Sequence, residues 1–281
     1  MGAMKSLYEL AQACIVAADP TEKVALTHAA AAQLRARTLS LDDSNPPQPF
    51  GLAGRPAKLQ LVRAAQVPKR SPATPQGRAA LIHAIAHIEF NAINLAWDAA
   101  YRFRGMPEQY YDDWVKVADE EAQHFAMLRS RLQSLGYDYG DFAGHDGLWD
   151  MAGRTANDVL ERMALVPRVF EARGLDATPG IIARLRSAGD EETCAMLDII
   201  WRDEVGHVAI GTHWFHYCCA QRNLEPEFTF QQLIKKYFTG KLRGPFHYEA
   251  RKRAGFTDSE MQMLENLSND EDETAPASTS S

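Results

Sequence analysis

Apolar residues recur along this chain at intervals of three and four, and strict apolar–polar alternation is scarce. In a sequence rich in alanine, leucine, glutamate and arginine, that periodicity predicts helix over nearly the whole length. Two short helices are expected over residues 7–17 and 21–37. The prolines and glycines of S-N-P-P-Q-P-F and G-L-A-G-R-P, residues 44–56, exclude helix. The stretch to about residue 75 therefore reads as an extended arm wrapping the core. A first long helix is predicted over 76–103, with Ile82, Ile85, Ala92, Ala96 and Ala99 on one face and Glu89 among them. R-G-M-P at 104–107 ends it and opens the next. The second long helix, 108–135, turns Trp114, Val117, Leu128 and Leu132 inward together with Glu121 and His124, and Gly136 stops it.

A connection rich in Gly, Asp and Tyr runs to about residue 147. The third long helix begins near 148, passes Glu161 to Glu171, is interrupted by G-L-D-A-T-P-G at 174–180 and resumes to about 187. After a turn at Gly189, the fourth covers 190–221, where Leu197, Ile200, Glu204, His207, Gly211 and Trp214 form a heptad-like stripe. A short first loop and a long second connection are the ferritin-like arrangement. The predicted fold class is all-α: a ferritin-like four-helix bundle with a long crossover between its second and third helices, plus extra N- and C-terminal helices and the arm. The chain divides accordingly into N-terminal helices and arm (1–75), bundle (76–222), C-terminal helical extension (223–267) and an acidic, Ser/Thr-rich tail (268–281) whose composition predicts disorder.

With 281 residues, 46% of them hydrophobic, the chain can bury a large core. Its formal net charge of −7 gives no general sign of a nucleic-acid or membrane-surface partner. No apolar run approaches the roughly 18–20 residues that span a bilayer. The N-terminus lacks the pattern of a signal peptide, so a cytoplasmic location and no membrane partner are expected. Cys14, Cys194, Cys218 and Cys219 make no C-x-x-C pair and read as small buried thiols in a reducing compartment.

The chemistry lies in two matching stretches, E-E-A-Q-H at 120–124 and D-E-V-G-H at 203–207. Each contains Glu-x-x-His, Glu121 with His124 and Glu204 with His207, and residues at i and i+3 share a helix face. A lone glutamate precedes each: Glu89 by 121 − 89 = 32 residues and Glu171 by 204 − 171 = 33. Buried carboxylates are costly unless paired or bound to metal. Two divalent ions would set +4 against the −4 of Glu89, Glu121, Glu171 and Glu204, with both histidines neutral. Glu161 competes with Glu171 for the third-helix position, but ten residues of helix separate them by about 15 Å, so both cannot serve one cluster. Glu89 and Glu121 lie 16 residues on either side of position 105, and Glu171 and Glu204 centre on 187–188, just before Gly189. Equal heights across two hairpins favour Glu171, with Glu161 the alternative ligand. Metal-bound imidazoles need a partner for their second nitrogen. Glu120 and Asp203, beside the two ligand glutamates, are expected acceptors, each serving the histidine of the opposite helix; the alternative is that both are solvated charges. His83 and His87 read as packing or surface residues, since His87 points some 200° from Glu89. Phe125, Phe170 and Trp201 are candidate shielding aromatics, with core packing as the plainer role.

These residues carry a resemblance. H-A-I-A-H-I-E-F-N-A-I at 83–93, D-E-E-A-Q-H-F at 119–125, E-A-R-G-L-D-A-T-P at 171–179, D-E-V-G-H-V at 203–208 and K-L-R-G-P-F at 241–246 look like the ferritin-like superfamily. More closely, the chain resembles the ferritin-like family catalogued as domain of unknown function 455, over about residues 47–256. The superfamily is similar to tRNA-modifying diiron hydroxylases, whose third helix also carries an E-A-R segment at a ligand glutamate. Here Gly174 follows Arg173, and the serine and second glutamate of that segment are missing, which puts the substrate in doubt. The resemblance implies a non-haem centre of two metal ions, Fe/Fe or Mn/Fe, with zinc acceptable in vitro. It implies an O2-dependent oxidoreductase or hydroxylase acting on an organic substrate with an external electron donor. The alternatives are a ferroxidase or iron-handling protein, in a higher oligomer, and a metal-stabilised interaction protein; a homodimer is a further expectation. Between residues 235 and 253, Lys241, Arg243 and Arg251 belong to a basic stretch that either docks an anionic substrate, a phosphate or RNA included, or forms a solvated face.

Overall fold

The computed structural model describes residues 5–42, 46–49, 51–67, 71–238 and 244–269. The described chain is all-α, with a two-residue parallel pairing of Lys5–Ser6 with Leu39–Ser40. The described residues cluster into two compact units, one within the bounds 1–157 and 181–200 and one within 158–180 and 201–281.

In the first unit, helices α1 (Leu7–Val16) and α2 (Pro20–Arg35) precede the long pair α3 (Pro75–Arg102) and α4 (Glu108–Ser134). The starts of α1, α2 and α3 have a local cause. The Ser6 hydroxyl accepts from Tyr8 N, the Asp19 carboxylate from Glu22 N, and the Thr74 hydroxyl from Gly77 N. Pro20 and Pro75 occupy the first turn, where no N–H is needed. Between α3 and α4 the chain reverses at Gly105, whose φ of +72° is left-handed. α1 packs on α3 and α2 on α4. Trp97 Nε1 donates to Thr27 Oγ1 at 3.0 Å, which ties α3 to α2. Among the described residues, 41–74 carry no helix beyond the turn Ala64–Gln66. α3 is long and apolar enough to cross a membrane by length and composition, but 72% of its apolar window is buried inside the protein, as befits a core helix.

Lys23 sits at the centre of this unit with no exposure. Its ammonium donates to the Cys14 carbonyl, to the Ile15 carbonyl at 3.0 Å and to Asn94 Oδ1 at 2.7 Å. Cys14 and Ile15 lie in the last turn of α1, where carbonyls have no intrahelical partner, so Lys23 caps that helix through the core. Burial pushes the ammonium down to about 7. Lys23→Met recovers that desolvation but strands the Cys14 carbonyl and Asn94 Oδ1, while Gly54 N still donates to the Ile15 carbonyl at 2.8 Å. It is expected to lower stability by about 2 kcal/mol in urea titration. An unchanged midpoint would remove Lys23 as a cap.

Helix α5 (Gly147–Arg154) also belongs to the first unit. The second unit holds α6 (Val159–Leu165), a π-helical turn (Val166–Glu171), and the helices α9 (Pro226–Tyr237), α10 (Tyr248–Arg253) and α11 (Asp258–Asn269). The helices α7 (Ala172–Ser187) and α8 (Glu191–Gln221) contribute residues to both units. Asp158 caps α6 through Leu160 N at 2.8 Å, and Asp190 caps α8 through Thr193 N at 3.1 Å. All four cysteines are buried free thiols, and burial pushes Cys14, Cys218 and Cys219 up to about 11.

The expected single third helix is corrected here. The chain breaks between α5 and α6 at residues 155–158, then runs without interruption through G-L-D-A-T-P-G. Pro179 is inside α7. A proline deprives the carbonyl four residues earlier of its donor. That carbonyl, Leu175 O, instead accepts the Trp201 indole N–H at 3.0 Å. The distortion falls upstream, in the π turn that ends on Glu171.

Candidate metal centre

The α3–α4 hairpin sets Glu89 and Glu121 at matching heights, since 105 − 89 and 121 − 105 both equal 16 and Gly105 makes the reversal. Glu89 and Glu121 are buried, as is His124 one turn on from Glu121. His124 Nδ1 lies 3.3 Å from Glu89 Oε2 and 3.4 Å from Glu121 Oε2. Burial acts to lower the imidazole pKa, yet the hydrogen bonds and charges of Glu121 and Glu89 outweigh it and push it up to about 11. Two buried carboxylates thus hold a cation between them.

A metal ligand must be a neutral imidazole. His124 is raised far above its usual 6.5, so in the metal-free protein it is protonated at pH 7, and a bound metal ion must displace that proton. Metal uptake at pH 7 should release about one proton per chain from this group. The apparent affinity should rise about tenfold per pH unit until the pH nears 11. Calorimetry in buffers of different ionisation enthalpy reads that proton; a heat independent of buffer would contradict it.

In the second unit, α8 buries Glu204 and His207 one turn apart, with His207 Nδ1 3.6 Å from Glu204 Oε1. Glu171 ends the π turn and is half-buried. An extra residue per turn re-aims the side chains after it, and such turns cluster at functional sites. Glu161 is engaged elsewhere: Lys236 Nζ donates to its Oε1 at 2.6 Å, and the Tyr237 hydroxyl donates to its Oε2. Gly211, on the α8 stripe, lets Pro167 of the π turn pack closely, because a Cβ there would lie 2.3 Å from the proline ring.

Glu89, Glu121, His124 and Glu204 form a buried group that could hold a metal ion, with one ligand atom of each within 4.8 Å of the others. Three carboxylates and an imidazole are the oxygen and nitrogen donors that suit divalent iron, manganese or zinc. A family profile described as "Protein of unknown function (DUF455)" matches residues 16–262. The chain belongs to this family. An "Uncharacterized protein" of Haemophilus influenzae is similar to it, 49% identical over 220 residues that cover 76% of each chain. No solved structure matches.

The other expected residues of this DUF455 protein take varied places. Glu120 accepts from Lys116 Nζ at 2.7 Å, and Asp203 from Arg202 Nε at 3.0 Å, both with partly exposed side chains. His87 is a packing residue, held by the Tyr139 hydroxyl at 2.8 Å and the His145 carbonyl at 3.0 Å. His83 accepts from Gly140 N at 2.9 Å. Phe125 is buried against Phe90 and Tyr139. Phe170 meets Phe238 at a tilt of 38°, and Trp201 meets His247 edge-on.

Lys241 and Arg243 lie outside the described residues. The expected anion-docking role of Arg251 is corrected: it is buried, bonded to both carboxylate oxygens of Asp176 at 2.9 and 2.7 Å, and covered by Phe246 and Phe256. A guanidinium so committed has no fork left for a phosphate. The sequence reading also passed over Arg168 and Glu260. Their signal was a lone charge in the apolar run M-A-L-V-P-R-V-F and a Thr-x-x-Glu start at 257–260.

Proposed function

We propose that this DUF455 protein is a dinuclear metal protein of ferritin-like architecture, Fe/Fe or Mn/Fe, and an O2-dependent oxidoreductase of the hydroxylase type. The observation that carries the reading is the buried group of Glu89, Glu121, His124 and Glu204 with ligand atoms within 4.8 Å of one another. Three such acids with one imidazole leave net negative charge in an apolar interior, which divalent ions neutralise. In this reading Glu171 and His207 complete six ligands on four helical segments, α3, α4, the π turn before α7, and α8. The commitment of Glu161 to Lys236 and Tyr237 supports Glu171 as the third-helix carboxylate.

When bound, a redox-active metal pair supplies the activation of O2 for hydroxylation or desaturation. The chain's own residues hold the ions, orient the carboxylates and exclude water, with Phe90 and Phe125, which follow Glu89 and His124 in sequence, buried against each other. Glu120 and Asp203 are the proposed acceptors for the second nitrogens of the ligand histidines, which fixes the ring orientation. An external electron donor and a small organic or anionic substrate complete the proposal, in the cytoplasm, where the buried free thiols stay reduced.

Metal analysis of protein made in iron-replete medium tests it. About two redox-active ions per chain, lost from the double variant Glu204→Ala/His207→Ala, are expected. A metal content near zero, the same in that variant, would sink the proposal. Iron far above two per chain in a large assembly would favour iron storage instead.

A further inference from the structure

Arg168 is fully buried, one residue after Pro167 and three before Glu171 in the π turn. Its Nη2 donates to Glu260 Oε1 at 2.6 Å, across 92 residues of sequence. The guanidinium carbon lies 4.8, 4.1 and 4.6 Å from the ring centroids of Phe215, Phe230 and Phe256. Its Nε and Nη1 have no hydrogen-bond partner among the described residues. Glu260 is almost as deeply buried. Its other oxygen accepts from Thr257 N at 3.1 Å, while Glu260 N donates to Thr257 Oγ1 at 3.1 Å. This reciprocal cap fixes the carboxylate at the start of α11.

An apolar side chain would fill that aromatic cage at lower desolvation cost, so stability is a poor reason for the pair. The pair does supply a fixed point on an irregular turn. A π turn accommodates one more residue than an α turn, so its relaxation to α would turn the following helix face by about 100°. We infer that the buried Arg168–Glu260 pair is a positioning device by which α11 holds the π turn open and sets the direction of Glu171. This rests on the reading of Glu171 as a metal ligand. Arg168 and Glu260 are positioning residues that touch no metal, and the C-terminal helix belongs to the scaffold of the centre.

The test uses the full chain with Glu260→Gln, Glu260→Asp and Arg168→Lys. The last two keep both charges and shift only the reach, so at least one folded variant is expected by circular dichroism. Two readouts are taken: anaerobic Fe(II) and Mn(II) titration, and hydrogen exchange of residues 160–175 in metal-free protein. Each folded variant should exchange faster over that segment and bind one of its two ions about 10–100-fold more weakly, the range for residues that orient a ligand. Unchanged exchange, or an unchanged affinity beside a lowered melting temperature, overturns the inference. If wild type binds no metal while exchange still quickens in the variants, the metal reading has failed and only a structural clamp is left, which also overturns it.

Discussion

Glu204→Gln is expected to erase most of the stabilisation that divalent metal confers, while leaving the metal-free protein at least as stable as wild type. Metal that binds only the folded chain, present at a thousand times its dissociation constant, stabilises by about 4 kcal/mol. Loss of one carboxylate ligand with a hundredfold drop in affinity leaves about 1.4 kcal/mol of that at the same concentration. The opposite expectation for the metal-free state comes from charge. Glu89, Glu121 and Glu204 are buried together with His124, whose imidazole is held protonated by its contacts to Glu121 and Glu89 against the effect of burial. Three carboxylates are crowded around one imidazole, which disfavours their charged forms, and an isosteric amide removes one of the like-charged neighbours. The usual cost of altering a buried charged residue is therefore reversed at this position. Calorimetric melting with and without Mn(II) measures both quantities. A variant with the wild-type metal shift, or a metal-free variant melting several degrees below wild type, would show that Glu204 is a structural acid.

The long helices were legible because their ends carry local chemistry. Residues 76–103 were expected and Pro75–Arg102 found, with Thr74 and Pro75 setting the start. Residues 108–135 and 190–221 correspond to Glu108–Ser134 and Glu191–Gln221, bounded by Gly136 and Gly189, both left-handed. The third region was not legible for a physical reason. D-A-T-P-G reads as a helix breaker, yet the carbonyl that Pro179 orphans finds Trp201, 26 residues away. The π turn has no local code either. It stands beside contacts from Gly211 and Glu260, which only the folded chain brings near.

The candidate centre was legible to the extent that it is periodic. Glu89, Glu121, His124 and Glu204 were named from two repeats and a hairpin spacing, and they are the buried group. A reversal at Gly105 joins the two regular helices that carry Glu89 and Glu121, each 16 residues from it. Glu171 and His207, named on the same grounds, are not in that group. Charge alone misled in the basic stretch. Arg251 looked like part of a solvated or anion-docking face, but Asp176 and two phenylalanines take it inside. A count of charges along sequence cannot see a partner 75 residues away.

Gly211→Ala should destabilise the protein, where the same change at Gly206 should stabilise it. Both glycines are interior positions of α8, and alanine is favoured over glycine there by about 1 kcal/mol. At Gly206 a Cβ meets nothing within 4 Å, so the full gain should appear. At Gly211 the same atom would lie 2.3 Å from Cβ and Cγ of Pro167, far inside contact distance. Neither partner can yield cheaply. Pro167 is a rigid ring in the first turn of the π segment, and Gly211 is fixed in a helix. Overpacking of this kind costs about 3 kcal/mol, which leaves a net loss of about 2 kcal/mol against a gain of about 1 at Gly206. The displaced Pro167 should also disturb Glu171 four residues on, so Gly211→Ala should weaken metal binding and Gly206→Ala should not. Urea midpoints and metal titrations of the two variants give four numbers. If both substitutions stabilise, the close seat of α8 on the π turn is wrong; if Gly211→Ala destabilises with metal affinity intact, that seat supports the fold without setting the ligand.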